Sequence, residues 1–357
     1  MASLAKGLAP AASAVVAGTG LVGLVASYIS DNAAVPKFSL DTERFDQSTF
    51  LGRVKRFMVA SNPSTLFVSD EEALAARGLL QKYARGEAEG IDDKTLWKAR
   101  ELRDTCFGSE PDSEDAEIVP RPFRMTGYVP FNGPIIVAMT LAQSSPAIIG
   151  WHIVNQTQNA LVNYHNRNRS APFSMRDLIS SYAIAVSASV GVAFGLSFII
   201  KRKCPPEKVA QLLRFVAFPS CVVASSANCY IMRSPEIKGG WQLRDKSGNV
   251  AAGGEHSRIA AKQGVYQTAA TRALLQIPSI LLPVLFTAIP AVSTLIAVNP
   301  VLNLPITTFV CLSCFGIGLP LSLSAFPQIV AISPAKLETN FRSYCGDDEL
   351  LFYNRGL

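Results

Sequence analysis

The sequence predicts an all-α, polytopic membrane protein, with about five transmembrane helices following a hydrophilic, mostly helical N-terminal subdomain. Three observations carry this. Only 17% of the 357 residues are charged, against about a quarter in ordinary soluble domains. The mean hydropathy is +0.24. Met125 to Asn166 and Ala273 to Ala335 contain no Asp, Glu, Lys or Arg. Backbone polar groups in hydrocarbon must bond within their own segment, so apolar stretches of this length cross a bilayer as helices.

Residues 1–30 form an apolar N-terminal segment. Within it, Gly7 to Ile29 is uncharged and rich in Ala and Gly, long enough to cross about 30 Å of hydrocarbon but only weakly hydrophobic. An extra span, an interfacial helix and a removable leader all fit, although Lys6 alone does not make the Arg-rich face of a matrix-targeting peptide. Residues 31–129 carry most of the acids and read as a hydrophilic subdomain. There, Ser69 followed by Glu72 predicts a capped helix running to Arg85. Asp92 to Cys106 predicts another, and Gly108 to Asp115 an acidic loop broken by Pro111.

Residues 130–335 form the transmembrane core. The length rule places spans at Pro130 to His152, Leu178 to Ile200, Phe215 to Met232, Ala273 to Pro290 and Leu304 to Phe326. Residues 336–357 are a C-terminal tail. The connectors 154–177 and 233–272 and the tail carry thirteen Lys and Arg, against five in 201–214 and none in 291–303. This imbalance puts the C-terminus on the side that retains positive charge, which in a mitochondrial inner membrane is the matrix.

Between Trp151 and Arg167, His152, Asn155, Asn159, Asn163 and Asn166 recur every three or four residues. They fall within about 80° of one another on a helix. Asparagine both donates and accepts, so such a stripe can replace water around a zwitterion or hydroxyl. It can equally hold neighbouring helices together or lie in the headgroup layer. Asn228 sits in an apolar span beside Ser225, Ser226 and Cys229, and Arg233 closes that span. Prolines at 134, 146, 219, 278, 283, 320 and 327 free carbonyls that could face a cavity, a habit of transporters but also of ordinary membrane helices.

Other chemistries find little support. Cys311 and Cys314 form a C-x-x-C without a second pair, and the three histidines lack metal-ligand spacing to Cys or carboxylates, so no metal site is expected. Seven cysteines in an odd, scattered set do not make a disulfide framework. No nucleophile elbow, phosphate-binding glycine loop or catalytic carboxylate pair is present, so neither an enzyme nor a cofactor is expected. The net charge of +6 comes from short basic clusters without aromatic interleaving, which argues against nucleic acid.

Phe45-Asp-Gln-Ser-Thr-Phe-Leu-Gly-Arg53 resembles the N-terminal signature of the sideroflexins, a family of mitochondrial inner-membrane carriers. Asn155-Gln-Thr-Gln-Asn-Ala-Leu-Val-Asn-Tyr-His-Asn-Arg167 is similar to a second family block. Ala227-Asn-Cys229, Met232-Arg233, Asp245 to Asn249, Ser257 to Lys262, Phe326-Pro-Gln328 and Tyr353 to Leu357 follow in order. The resemblance implies a multi-pass carrier in the mitochondrial inner membrane whose partners are the lipid bilayer and a small polar metabolite. It also implies substrate contacts at Asn155, Gln156, Asn159, Asn163, Tyr164, Asn166, Arg167, Asn228 and Arg233, with Arg167 pairing a substrate carboxylate. Members resembling the Asn block import serine for one-carbon metabolism. Phe123 to Phe131 and Cys311 to Pro320 are closer to a branch labelled as a tricarboxylate (citrate) carrier.

Three features depart from the family pattern. Glu110-Pro-Asp-Ser113 lacks the usual His and Gly of its loop, the Asn-Cys block lacks a following Asn and Pro, and the first thirty residues have no counterpart. The reading left by the sequence is a serine or neutral amino-acid carrier, with a tricarboxylate carrier as first rival. The second rival is a non-transporting respiratory-complex assembly or iron-homeostasis factor. Contacts with respiratory complexes or with a second copy of the chain stay open.

Overall fold

The computed structural model describes residues 2–40, 42–107, 111–112, 116–166, 175–344 and 349–355; for 2–9, Asn163 and Asp177 it describes the backbone alone. The described chain is predominantly helical with almost no sheet. Among the described residues, five helices are long and apolar enough to cross a membrane: Pro10–Asn32, Leu178–Lys203, Pro206–Gly239, Arg258–Thr287 and Pro300–Leu323.

These are not the five spans expected from hydropathy. The N-terminal segment supplies one of them, as the single helix α1 (Ala2–Asn32). The stretch from Pro130 to His152 supplies none. It breaks into α5 (Tyr128–Leu141) and α6 (Ser145–His165), which pack against each other as a hairpin. The break is chemical: the Ser144 hydroxyl accepts the Ala147 N–H at 3.3 Å, and Pro146 occupies the first turn of α6. Both are helix-start signals, which stop one helix and launch the next.

Before this hairpin, the N-terminal subdomain is built from α2 (Phe50–Ala60), α3 (Asp70–Ala84) and α4 (Asp93–Phe107). The predicted cap of α3 is present as a reciprocal Ser69–Glu72 capping box. Phe38, Leu80, Leu96 and Trp97 form the core between α3 and α4. The Phe45–Arg53 signature is a docking turn. Asp46 accepts from the Ser48 N–H and hydroxyl, Thr49 caps the Gly52 N–H, and buried Arg53 reaches the carbonyl of Ser324 at 3.0 Å. That carbonyl lies just past the end of α13 (Asn303–Leu323), so the motif fastens the subdomain to the bundle.

In the bundle, successive long helices are neighbours: α6 on α7 (Met175–Lys203), α7 on α9 (Ala217–Gly239), and α9 on α10 (Arg258–Gln276). The buried His152 Nδ1 lies 2.8 Å from Ser189 Oγ and pins α6 to α7. The short α8 (Pro206–Leu213) turns the chain between α7 and α9. The expected Ala273–Pro290 span is the second half of a longer run. α10 passes through a π-helical turn, Ile277–Leu281, into α11 (Leu282–Thr287). Pro278 and Pro283 each remove an amide donor here, which explains why the regular ladder gives way. α12 (Pro290–Val298) then returns the chain to α13.

α13 is the most enclosed helix, packed by α1, α5, α10 and the π-turn. Two glycines permit this approach. A Cβ on Gly316 would lie 2.1 Å from the Val22 side chain of α1, and one on Gly318 would lie 2.0 Å from Pro278. Small residues at contacts let helix backbones close in lipid, where no hydrophobic force drives helices together.

The α9–α10 connector and the C-terminal tail, expected as a loop and a tail, form one module. β1 (Trp241–Gln242) pairs antiparallel with β2 (His256–Ser257), and β3 (Ile329–Ile332) with β4 (Leu351–Asn354). Leu243, Ala251, Val330, Leu337, Leu351 and, from α14 (Thr339–Tyr344), Phe341 are buried together. Glu338 ties this module to the start of α10, accepting from Ser257 Oγ at 2.7 Å and from the N–H groups of Arg258 and Ile259 at 2.9 and 3.0 Å. Partial burial works against its charge, but the Ser257 hydroxyl and these backbone donors outweigh it and hold the carboxyl below its ordinary value.

Two outcomes follow from this packing. Gly318→Val forces α13 away from Pro278 and should destabilise the purified protein by about 1–3 kcal/mol, seen as a lower unfolding temperature in detergent with α13 residues more open to proteolysis. Glu338→Gln should cost about 0.5–2 kcal/mol at neutral pH. Because the folded-state carboxyl sits below its unfolded value, that difference is present above the unfolded value and disappears as pH falls through the folded one. Thermal unfolding of both proteins across an acidic series measures it.

Candidate functional site

The amide stripe of α6 divides among three destinations. His152 turns to α7, as described above. Asn155, Gln156 and Asn159 face an internal cavity of about 30 Å³, together with Tyr128, Asn132 and Ile136 of α5 and Cys221 and Ser225 of α9. Leu275, Gln276, Ser279 and Ile280 from α10 and the π-turn, and Phe315 of α13, complete the lining. Asn166 turns back instead, donating to the carbonyls of Phe123 at 2.7 Å and Val162 at 2.9 Å. Tyr164 meets His165 edge-on, and His165 stacks on Phe123.

The remaining candidates lie elsewhere. The side chain of Asn163 and all of Arg167 fall outside the described residues, as do Glu110 and Ser113 of the acidic loop. In that loop Asp112 pairs with Arg103 at 2.6 Å. Asn228 is half-buried on α9, one turn beyond Ser225, and does not line the cavity. Arg233 is engaged in a clasp. It donates to both carboxylate oxygens of Glu236 at 2.8 and 2.9 Å, to Thr268 Oγ1 at 2.9 Å, and to the carbonyl of Arg355 at 2.7 Å. Arg355 is itself 1% exposed and donates to the carbonyls of Phe326 and Pro327.

Five carboxamides therefore converge on one enclosed space: Asn132, Asn155, Gln156, Asn159 and Gln276. Among the described residues no charged side chain lines it. Asn155 donates to Cys221 Sγ at 3.7 Å, and Gln276 to the carbonyl of Arg272 at 3.1 Å. Ser279 returns its hydroxyl to the Leu275 carbonyl. Asn132 differs from all of these. It is 2% exposed, and among the described residues neither its Oδ1 nor its Nδ2 has a hydrogen-bond partner. Leaving both halves of a buried amide unmade costs about 1–3 kcal/mol per group. A water in the cavity or an incoming polar molecule can make these bonds.

The π-turn forms one wall of this space. Single π-turns inside α-helices recur at functional sites, because the widened turn displaces side chains from the regular helical face. Here it carries Ser279 and Ile280 to the cavity, just after Gln276. A larger groove of about 480 Å³ opens beside Ile259, Lys262, Tyr266 and Phe326 on another face of α10. Its lining is almost wholly apolar in exposed area and holds none of the α6 amides, so the small enclosed cavity is the better site for a polar solute.

Sequence reasoning placed Asn155, Gln156 and Asn159 in the site and missed Tyr128, Asn132, Gln276 and Ser279. Asn132 carried the same signal used for Asn228, an amide inside a charge-free apolar run, sharpened by the adjacent Gly133 and Pro134. Gln276 stands two residues before Pro278, where the helix must loosen.

The family model for the sideroflexins matches residues 39–357 of the chain. Sideroflexin-5 of Homo sapiens is 34% identical over 326 residues, covering 90% of this chain and 94% of the relative. Sideroflexin-5 of Caenorhabditis elegans is 35% identical over 325 residues, covering 90% and 96%. Sideroflexin-3 of Mus musculus is 31% identical over 325 residues, covering 89% and 98%. No solved structure matches the chain. The shared blocks, the span-length helices and this coverage lead to one conclusion: the chain is a multi-pass membrane protein and belongs to the sideroflexins.

Proposed function

We propose that this protein carries serine or a related small neutral amino acid across the mitochondrial inner membrane, with the C-terminal module on the matrix side. The observation that carries the reading is the uncharged, amide-rich cavity between α5, α6, α9 and α10, with Asn132 unpartnered inside it. Neutral amides offer donors and acceptors to a hydroxyl or ammonium without imposing a net charge. A cavity of about 30 Å³ admits a water or two, so entry of an amino acid requires the helices around it to part. The hairpin break at 142–144 and the π-turn are the irregular points about which α5 and α10 can move.

A tricarboxylate carrier remains the second reading, on the local similarity at Phe123–Phe131 and Cys311–Pro320. A triply charged substrate needs several cations facing its path, and among the described residues no charged side chain lines this cavity. A non-transporting assembly role accounts less well for five carboxamides, three of them buried, gathered around one space.

The test is uptake of labelled serine into proteoliposomes. Asn159→Ala and Asn132→Leu should each reduce uptake roughly five- to a hundredfold, the size of one to three lost hydrogen bonds. Asn132→Leu should at the same time hold or raise the unfolding temperature, since it removes an unpaired buried amide. Undiminished serine uptake in both variants, or displacement of labelled serine by citrate, would overturn the proposal. A wild-type protein that moves no solute but purifies with respiratory subunits would favour the assembly role.

A further inference from the structure

The cavity does not account for one charge beside it. Arg272 is half-buried midway along the membrane-spanning run Arg258–Thr287, one turn before Gln276, whose side chain bonds its carbonyl. Residues four apart on a helix share a face, so Arg272 belongs to the same side of α10 as Gln276 of the cavity wall. Two groups are within electrostatic reach of it, Tyr128, which lines the cavity, and Cys229, one turn beyond Ser225 on α9.

Two other guanidiniums reach the same stretch of α10, Arg233 donating to Thr268 Oγ1 at 2.9 Å and Arg355 to Thr271 Oγ1 at 3.4 Å, so that three cations and one carboxylate, Glu236, gather there. Two of the three cations are already occupied. Arg233 holds both oxygens of Glu236, and Arg355 is spent on the carbonyls of Phe326 and Pro327. Among the described residues, no carboxylate pairs with Arg272. An unpaired guanidinium within a membrane-spanning helix is costly, and where one persists it faces the interior and marks a substrate or ion path. Its fork of donors matches a carboxylate.

Resting on the carrier reading above, we propose that Arg272 is the carboxylate anchor of the substrate site. The α-carboxylate sits at the end of the cavity between Arg272 and Tyr128, and the rest of the solute points toward Asn132, Gln156 and Asn159. This arrangement selects solutes with one carboxylate and a small polar remainder. Among the described residues Arg272 is the cation placed beside this neutral cavity without a carboxylate partner; it neutralises one negative charge, and a second or third carboxylate would meet amides.

The test uses the full-length protein in detergent and in proteoliposomes, with serine, ethanolamine as the analogue lacking the carboxylate, and citrate. Wild type should be thermally stabilised by serine and not by ethanolamine. Arg272→Gln should raise the serine concentration needed for half-maximal stabilisation and uptake roughly ten- to a hundredfold. Arg272→Lys should recover part of that loss, because it restores charge without the fork. A merely structural role would lower the unfolding temperature of Arg272→Gln without erasing the preference of serine over ethanolamine. An unchanged serine response in Arg272→Gln overturns the anchor and leaves the carrier reading standing. A wild type that responds to citrate and not serine overturns the substrate reading, and the same variant then judges Arg272 against citrate. A wild type that responds to neither removes both. A serine effect reproduced by chloride alone would identify Arg272 as a free-anion site and overturn the anchor.

Discussion

Inside a bilayer, a polar group has only the protein or a passing solute to bond with, and most of this structure follows from that constraint. Backbone amides satisfy it by coiling into long helices. Hydroxyls on the apolar helices satisfy it by turning back to their own helix, as Thr140 does to Ile136, Ser220 to Val216 and Thr287 to Pro283. Carboxamides have two complementary halves and are harder to accommodate, so they cluster where helices meet. Asn132 is the member of that cluster whose two amide atoms are both fully buried and, among the described residues, without a partner, which under the proposed function leaves them for a solute.

The same constraint explains the fastening outside the cavity. Arg53, Arg233 and Arg355 all end on backbone carbonyls, and Arg53 and Arg355 do so at or just beyond the end of α13, where the helical ladder leaves acceptors unused. Guanidiniums thus serve as caps that lock the N-terminal subdomain and the C-terminal module to one side of the bundle. Among the described residues Arg272 alone has the same chemistry in the middle of a span without such a carbonyl or a carboxylate. The contrast between three arginines that close the structure and one that stays available divides architecture from recognition.

Much of the fold was legible, for reasons tied to particular residues. The Ser69–Glu72 box lies within one turn, so a local pattern announces it. Four of the five span-length helices overlap the spans that length and hydropathy lead one to expect. The Pro130–His152 span misled because averaging over a window conceals Ser144 and Pro146, which together start a new helix at its centre. The Gly7–Ile29 segment was ambiguous because its Ala and Gly content lowers hydropathy, while one of those small residues, Gly18, lets α1 approach Leu312. The C-terminal module rests on pairings such as Val330 with Tyr353 and a contact from Glu338 to Ser257, which span too much sequence for a periodic pattern to reveal. The α6 stripe was recognised by its spacing, but spacing alone assigns no destination, and its members separated among α7, the cavity and Phe123.

The central claim is that the amide cavity lies on a solute path rather than in a sealed helix contact. The most direct measurement places a cysteine at Asn159 in a protein whose native cysteines have been replaced, and follows its labelling by a membrane-impermeant maleimide in oriented vesicles. The account predicts slow labelling from the aqueous phase that saturating serine suppresses. A cysteine there that is never labelled, or labelled at the same rate with and without serine and every other amino acid offered, would contradict it.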